Sequence, residues 1–229
     1  MDLTQALRAT PASRAFTNRE VSDEEVYAIL DDARFAPSGG NRQAWGVVLI
    51  KDAEQRAKLR DIYLKGWYPY LTLSAARITP FSPLGDREAE TEALQRVDEL
   101  TPRFAGDGQG FAEQLDQVPV LLAITADLSR LAAVDRDLDR YTFAGGASIY
   151  PFAWSILLAA RARGLGGVIT TMAVQHEDEV AKLLGLPDHL ALAAVLAIGE
   201  PRQEITKLKR EPVEAFTTVD RVDGPALLP

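Results

Sequence analysis

Four short apolar runs, separated by amphipathic segments with helix-start signals, predict an α+β fold with a central sheet of four or five strands surrounded by helices. The runs are 45–51 (WGVVLIK), 118–126 (VPVLLAITA), 166–172 (GGVITTM) and 191–199 (ALAAVLAIG). The chain has 229 residues, 47% hydrophobic and 25% charged, enough for a substantial core. No repeat, low-complexity block or flexible linker divides it, so one domain over 1–229 is expected.

The elements follow in order. Residues 3–8 suit a short helix. Ser22 followed by Glu25 is a capping box, and Val26, Ile29, Leu30, Ala33 and Phe35 then recur at helical spacing up to a Pro-Ser-Gly-Gly stop. After the strand at 45–51, residues 53–65 return to helix, with Ala57, Leu59, Ile62 and Tyr63 apolar. From 66 to 117 aromatics are scattered among prolines and glycines, with one helical piece at 87–100. This segment reads either as a helical insertion packed on the core or as a lid that walls a pocket. Residues 145–163 read as a helix roughly 28 Å long, apolar almost all round. Its length approaches a membrane span, but Pro151, Arg161 and Arg163 argue for burial at the centre or in a subunit interface. A short helix at 176–184 ends at Gly185, and 191–199 suits the middle of a sheet. After Pro201 the chain becomes a charged, extended arm, 201–229.

Composition narrows the chemistry. A net charge of −8 disfavours a nucleic-acid surface. The absence of cysteine excludes disulfides, thiol nucleophiles and thiolate metal sites, and two separated histidines, His176 and His189, make a histidine metal site improbable. The start, MDLTQALRAT, lacks a basic-then-apolar leader, so a cytoplasmic location is expected.

The most informative stretch is FAPSGGNRQAW, 35–45. A Pro37-Ser38-Gly39-Gly40-Asn41 turn between helix and strand exposes backbone N–H groups, and its paired glycines let a flat ligand come close. Ser38, Asn41 and Gln43 add a hydroxyl and two amides that both donate and accept. That set suits a heteroaromatic ring edge better than a metal or bare phosphate; an ordinary helix-to-strand loop has the same turn chemistry.

The order of Ser13-Arg14-Ala15-Phe16, the PSGGN-x-Q-x-W segment, GLGGVITT from Gly164 and KLKREP from Lys207 resembles the FMN-dependent nitroreductase family over about 8–217. The resemblance implies an intertwined homodimer of nitroreductase-like fold, with 66–117 as lid and 201–229 as an arm wrapping the partner. It implies FMN as cofactor, with NADH or NADPH giving hydride to flavin N5 and a nitroaromatic or quinone-type acceptor then taking two electrons in a ping-pong cycle. By position, Pro37, Ser38, Gly39, Asn41 and Gln43 match ring contacts, and Gly167, Val168, Ile169 and Thr170 match the segment that presents a backbone N–H to N5. Ile149, Tyr150 and Pro151 match a segment that meets the flavin from the second subunit. Arg14 and the tail residues Lys207, Lys209 and Arg210 are the phosphate candidates, Arg210 by its RxP setting; Arg14 alternatively meets the N1/C2 edge, where a cation favours the anionic hydroquinone. Relatives often carry basic residues where this chain has Thr10, Pro11 and Ala12, a departure that Arg8, Ser13 or the tail would have to offset. GLGG also reads as a plain helix C-cap, and it is no dinucleotide fingerprint, since it runs from helix to strand.

No nucleophile is required and no acid–base dyad stands out; protons come from water or an unnamed lid residue. Two other functions keep the same cofactor site: another flavin reaction (dehydrogenase, oxidase, reductive dehalogenase or flavin fragmentation), or flavin binding without turnover.

Overall fold

A computed structural model of the chain describes residues 2–204 and 207–229. Among them are seven α-helices and four strands. The strands are β1 (Trp45–Leu49), β2 (Val120–Asp127), β3 (Gly166–Thr170) and β4 (Leu190–Gly199), and they form one antiparallel sheet in the order β1-β2-β4-β3. The central position of β4 agrees with its unbroken apolar run.

Strand periodicity sorts the core into two layers. Leu122, Ile124, Leu196 and Ile198 point to one face and join Val26, Ile29, Phe152 and Ile156 from α2 (Asp23–Ala33) and α6 (Tyr150–Ala162). Leu121, Ala123, Val195 and Ala197 point to the other and join Leu59, Ile62, Tyr63 and Val180 from α3 (Ala53–Ala75) and α7 (Glu177–Leu184). Both faces are therefore covered. Arg56 of α3 ties that helix to the ends of two sheet segments: its guanidinium donates to the carbonyls of Asp116 (2.8 Å), Ile50 (3.0 Å) and Val118.

The helix at Leu3–Arg8 (α1) forms as expected, and Ser22 and Glu25 make the reciprocal capping bonds that start α2. Four expectations need correction. Phe35 lies outside α2, 74% exposed, with the Arg34 guanidinium 4.3 Å above its ring. α3 does not stop near residue 65 but runs to Ala75 through Pro69. Gly66 serves packing instead of termination: a Cβ there would stand 2.6 Å from the Met172 carbonyl oxygen. The piece at 87–100 is two helices, α4 (Arg87–Leu94) and α5 (Val97–Ala105), and nothing in the local sequence dictates the break. The long helix at 145–163 is a 3₁₀ turn, Ala144–Ser148, followed by α6, with Pro151 in the first turn, where its missing N–H costs nothing.

α6 is not buried all round. Tyr150 and Trp154, one turn apart, are 44% and 36% exposed. The arm beyond residue 207 likewise exposes Val213, Phe216, Val222 and Leu228. No helix among the described residues is long and apolar enough to cross a membrane, and no group of three or more His, Asp or Glu among them could hold a metal.

Candidate cofactor site

The turn after α2 is built by its own side chains. Ser38 Oγ accepts from the Gln43 N–H (2.9 Å), and the Ser38 carbonyl accepts from the Asn41 N–H (2.9 Å). Gly40, Asn41 and Gln43 adopt φ of 59°, 51° and 48°, the left-handed region that Gly and Asn enter most readily. Two residues absent from the sequence reading brace the turn. Ser148 Oγ accepts the Gly39 N–H (3.0 Å), and the Arg130 guanidinium donates to the Arg42 carbonyl. Ser38 and Gly39 are thus engaged within the fold, while the exposed amides of Asn41 and Gln43, bonded to each other at 3.3 Å, face outward. Pro37 is exposed beside them. Ile149 is buried; Tyr150 next to it donates its hydroxyl to the Ala193 carbonyl (3.2 Å), and Pro151 is half-buried.

The loop that carries Arg130 and leads to Ser148 is organised by Asp135. Its Oδ2 accepts from the N–H groups of Phe143 (2.9 Å) and Ala144 (3.2 Å) and from Arg140 (2.9 Å). The backbone donors, with Arg140, hold the carboxyl down at about 2.

The second group of candidates gathers at β3. Residues 12–13 run beside it: Ala12 forms a parallel bridge to Gly167, and the Ser13 N–H donates to the Gly167 carbonyl (2.9 Å). Ser13 is buried over Gly166, where a Cβ would stand 2.7 Å from Ser13 Oγ. At Gly167 the absent side chain makes room for the Ala197 carbonyl oxygen, 2.6 Å from a Cβ placed there. Both glycines therefore satisfy internal packing. Because Gly167 directs its polar groups out of the sheet, the two-residue period turns those of Ile169 the same way, along an edge that residues 12–13 no longer cover. Val168 is buried. Thr170, half-buried, bonds its hydroxyl to that of Tyr63 (3.2 Å), a phenol whose pKa burial raises. Arg14 follows at the exposed end of the strip. Thr10 turns its hydroxyl inward to the Ala6 carbonyl (2.6 Å), so neither it, Pro11 nor Ala12 presents a cation.

These two groups lie at opposite edges of the sheet. Three inter-strand spacings separate β1 from β3, and Trp45 stands in register with Ala191 whereas Thr170 pairs with Val195. The turn and the end of β3 are therefore roughly 20 Å apart within one chain. Lys209 and Arg210 join neither group through a side-chain bond among the described residues; both are exposed, and Arg210 donates to the Lys209 carbonyl (2.8 Å). Lys207 is also exposed and Arg8 lies on α1.

The segment 66–117 brings aromatics up to the β3 group. Tyr63, Trp67 and Tyr70 stack along α3 with centroid separations of 5.9 and 5.3 Å, and Phe111 meets Tyr63 edge-on at 6.4 Å. Tyr68 donates to Glu113 (3.0 Å); burial and that carboxylate push its hydroxyl up to about 12.

Against the demands of a flavin ring, one group offers neutral amides, and the other an outward backbone edge and the Arg14 guanidinium, which is in no ion pair among the described residues. A phosphate finds no cation in residues 10–12; the cations expected for it from the sequence are Arg14 and those of the tail.

The chain is similar to several known proteins. Human iodotyrosine deiodinase 1 is 26% identical over 208 residues, which cover 88% of this chain and 62% of that protein. The 5,6-dimethylbenzimidazole synthase of Rhodospirillum rubrum is 27% identical over 86% of this chain and 82% of its own. The NADPH:FMN oxidoreductase of Vibrio harveyi, solved in complex with NAD+, superimposes with a TM-score of 0.62 at 21% identity, covering 95% of this chain and 76% of that one, a likeness of fold. Residues 7–200 match the Nitroreductase family, so the chain belongs to this family of flavin oxidoreductases.

Proposed function

We propose that the chain is an FMN-dependent oxidoreductase, active as a homodimer, that passes two electrons from NADH or NADPH to an electron-poor nitroaromatic or quinone. The observation that carries this reading is the open edge of β3 at Ile169, flanked by Arg14 and Thr170 and separated from the Pro37–Gln43 turn by the width of the sheet. No single ring spans that separation, so the turn of one copy completes the β3 edge of another. The exposed apolar residues of α6 and the arm supply surface for such pairing.

FMN, when bound, supplies the two-electron carrier. Asn41 and Gln43 would hold the ring edge with neutral amides, and the Ile169 N–H would donate to the ring. Arg14 would stabilise negative charge on it, and Lys209 and Arg210 would hold the phosphate. The segment 66–117 is the lid, whose aromatic column excludes water from the acceptor. Overall, the nicotinamide gives up a hydride; a nitro group takes two electrons and two protons, releases water and becomes nitroso, or a quinone becomes its hydroquinone. A cytoplasmic location accords with that donor.

The test is the visible spectrum of the protein loaded with FMN. Bleaching by NADH or NADPH and recovery on adding a nitroarene or quinone are expected. A yellow protein inert to both nicotinamides, or one that takes up no FMN, overturns the reading. Similarity to the deiodinase favours reductive dehalogenation as the second reading, tested with a halophenol in place of the nitroarene.

A further inference from the structure

Next to the β3 group lies a cleft of unusual composition for an acidic protein. Two guanidiniums line it, Arg14 and Arg202, together with the carboxamides of Asn18, Gln109, Gln114 and Gln117, and no carboxylate does so. Among the described residues neither arginine is in an ion pair. Arg202 is anchored by its backbone N–H on the Ala15 carbonyl (2.9 Å) and by Nε on the Phe16 carbonyl (2.7 Å), and its two terminal nitrogens donate to none of the described residues. Gln114 donates to Gln109 Oε1 (2.6 Å), which leaves the Gln109 NH₂ as a donor.

The nearby acids stand behind the lining, each held by a hydrogen bond, and among the described residues only Asp116 is paired with a cation. Glu200 accepts from Thr17 (2.6 Å), Glu113 from Tyr68 (3.0 Å), and Asp116 from Arg60 (3.0 Å) and Gln117 (2.7 Å). Two like charges held in one cleft that no carboxylate lines, and with no ion pair among the described residues, form a site that an anion would relieve. Phe16 and Phe111 are among the lining residues, and Phe111 packs on Tyr63, the phenol bonded to Thr170. An aromatic ring at the β3 edge can thus extend an acidic substituent into the cleft.

We propose that this cleft binds the carboxylate of an aromatic acid, with Arg202 as its principal cation, so that the enzyme selects anionic over neutral electron acceptors. The inference rests on the oxidoreductase reading for its setting and adds the class of acceptor. Guanidinium–carboxylate recognition is charge-assisted and forked, worth about a tenfold preference or more.

The test compares para-nitrobenzoate with para-nitrobenzamide, a neutral analogue of the same shape, and measures binding of unreactive benzoate and benzamide to the FMN-loaded protein by calorimetry. Para-nitrobenzoate is expected to have the higher kcat/KM by about tenfold, carried by KM, with the same order in binding. Arg202→Gln should bring both ratios towards one, Arg202→Lys should restore part of them, and Gln114→Glu, which puts a carboxylate in the cleft, should depress them while sparing the Arg202 anchor. Equal kcat/KM and equal binding for the two partners, or ratios unmoved by Arg202→Gln and Gln114→Glu, overturn the proposal. If neither acceptor is reduced but benzoate binds in an Arg202-dependent way, the cleft stands and the oxidoreductase reading falls. If the benzamide is reduced as well as the benzoate, the reverse holds.

Discussion

At the scale of single residues, Asn41 combines two roles that a simple truncation would confuse. Its φ of 51° favours Asn or Gly, so Asn41→Ala would strain the turn as well as remove the amide. Asn41→Gly removes the amide and keeps the backbone; we expect about tenfold weaker FMN binding by fluorescence titration, with thermal stability little changed. Unaltered affinity would take the ring edge away from Asn41. Arg210→Ala should weaken FMN binding more than riboflavin binding, since only FMN bears the phosphate. Equal losses for the two ligands would free Arg210 of that duty. The sequence made Asn41 and Gln43 legible because a helix-to-strand turn with paired glycines leaves few places for an amide except outward. It concealed Ser148 and Arg130, which act on the turn across 109 and 88 positions of chain and carry no local signature.

At the scale of elements, what the sequence hid were positions where a residue answers to a distant neighbour. Gly66 and Pro69 signal a helix end, yet α3 continues because Gly66 lets it close on Met172. Gly167 suggests room for a ligand, yet the Ala197 carbonyl occupies that room. Strand positions and the α2 cap were legible because periodicity and a capping box are local. Two tests belong here. Arg56→Met removes three bonds to carbonyls that join β1, α3 and the entry to β2, and should lower stability in urea by about 2–3 kcal/mol; an unchanged midpoint would show that water replaces them freely. Asp135, depressed from 3.8 to about 2, stabilises the loop behind the turn above pH 4 and loses that contribution as pH falls towards 2. In Asp135→Asn that part of the acid sensitivity should vanish, read from thermal midpoints between pH 5 and 2. Parallel profiles for the two proteins would exclude the carboxylate as its source.

At the scale of the whole molecule, sheet order decides what one chain can do alone. With β1 and β3 at opposite edges, the two proposed halves of a flavin site stand apart within one chain. The proposed pairing of two copies would cover the exposed Tyr150 and Trp154 and the apolar residues of the arm. The α+β class and strand count were legible in the sequence; the distance between the half-sites was not, because sheet order is set by long-range pairing that no local pattern encodes. Mixed dimers of Asn41→Gly and Arg14→Ala chains test this most directly. If the halves come from different copies, each mixed dimer has one intact site and should retain about half the tightly bound FMN of the wild type, while each variant alone retains little. Mixed dimers no better than either parent would contradict the account, because each site would then be drawn from a single chain.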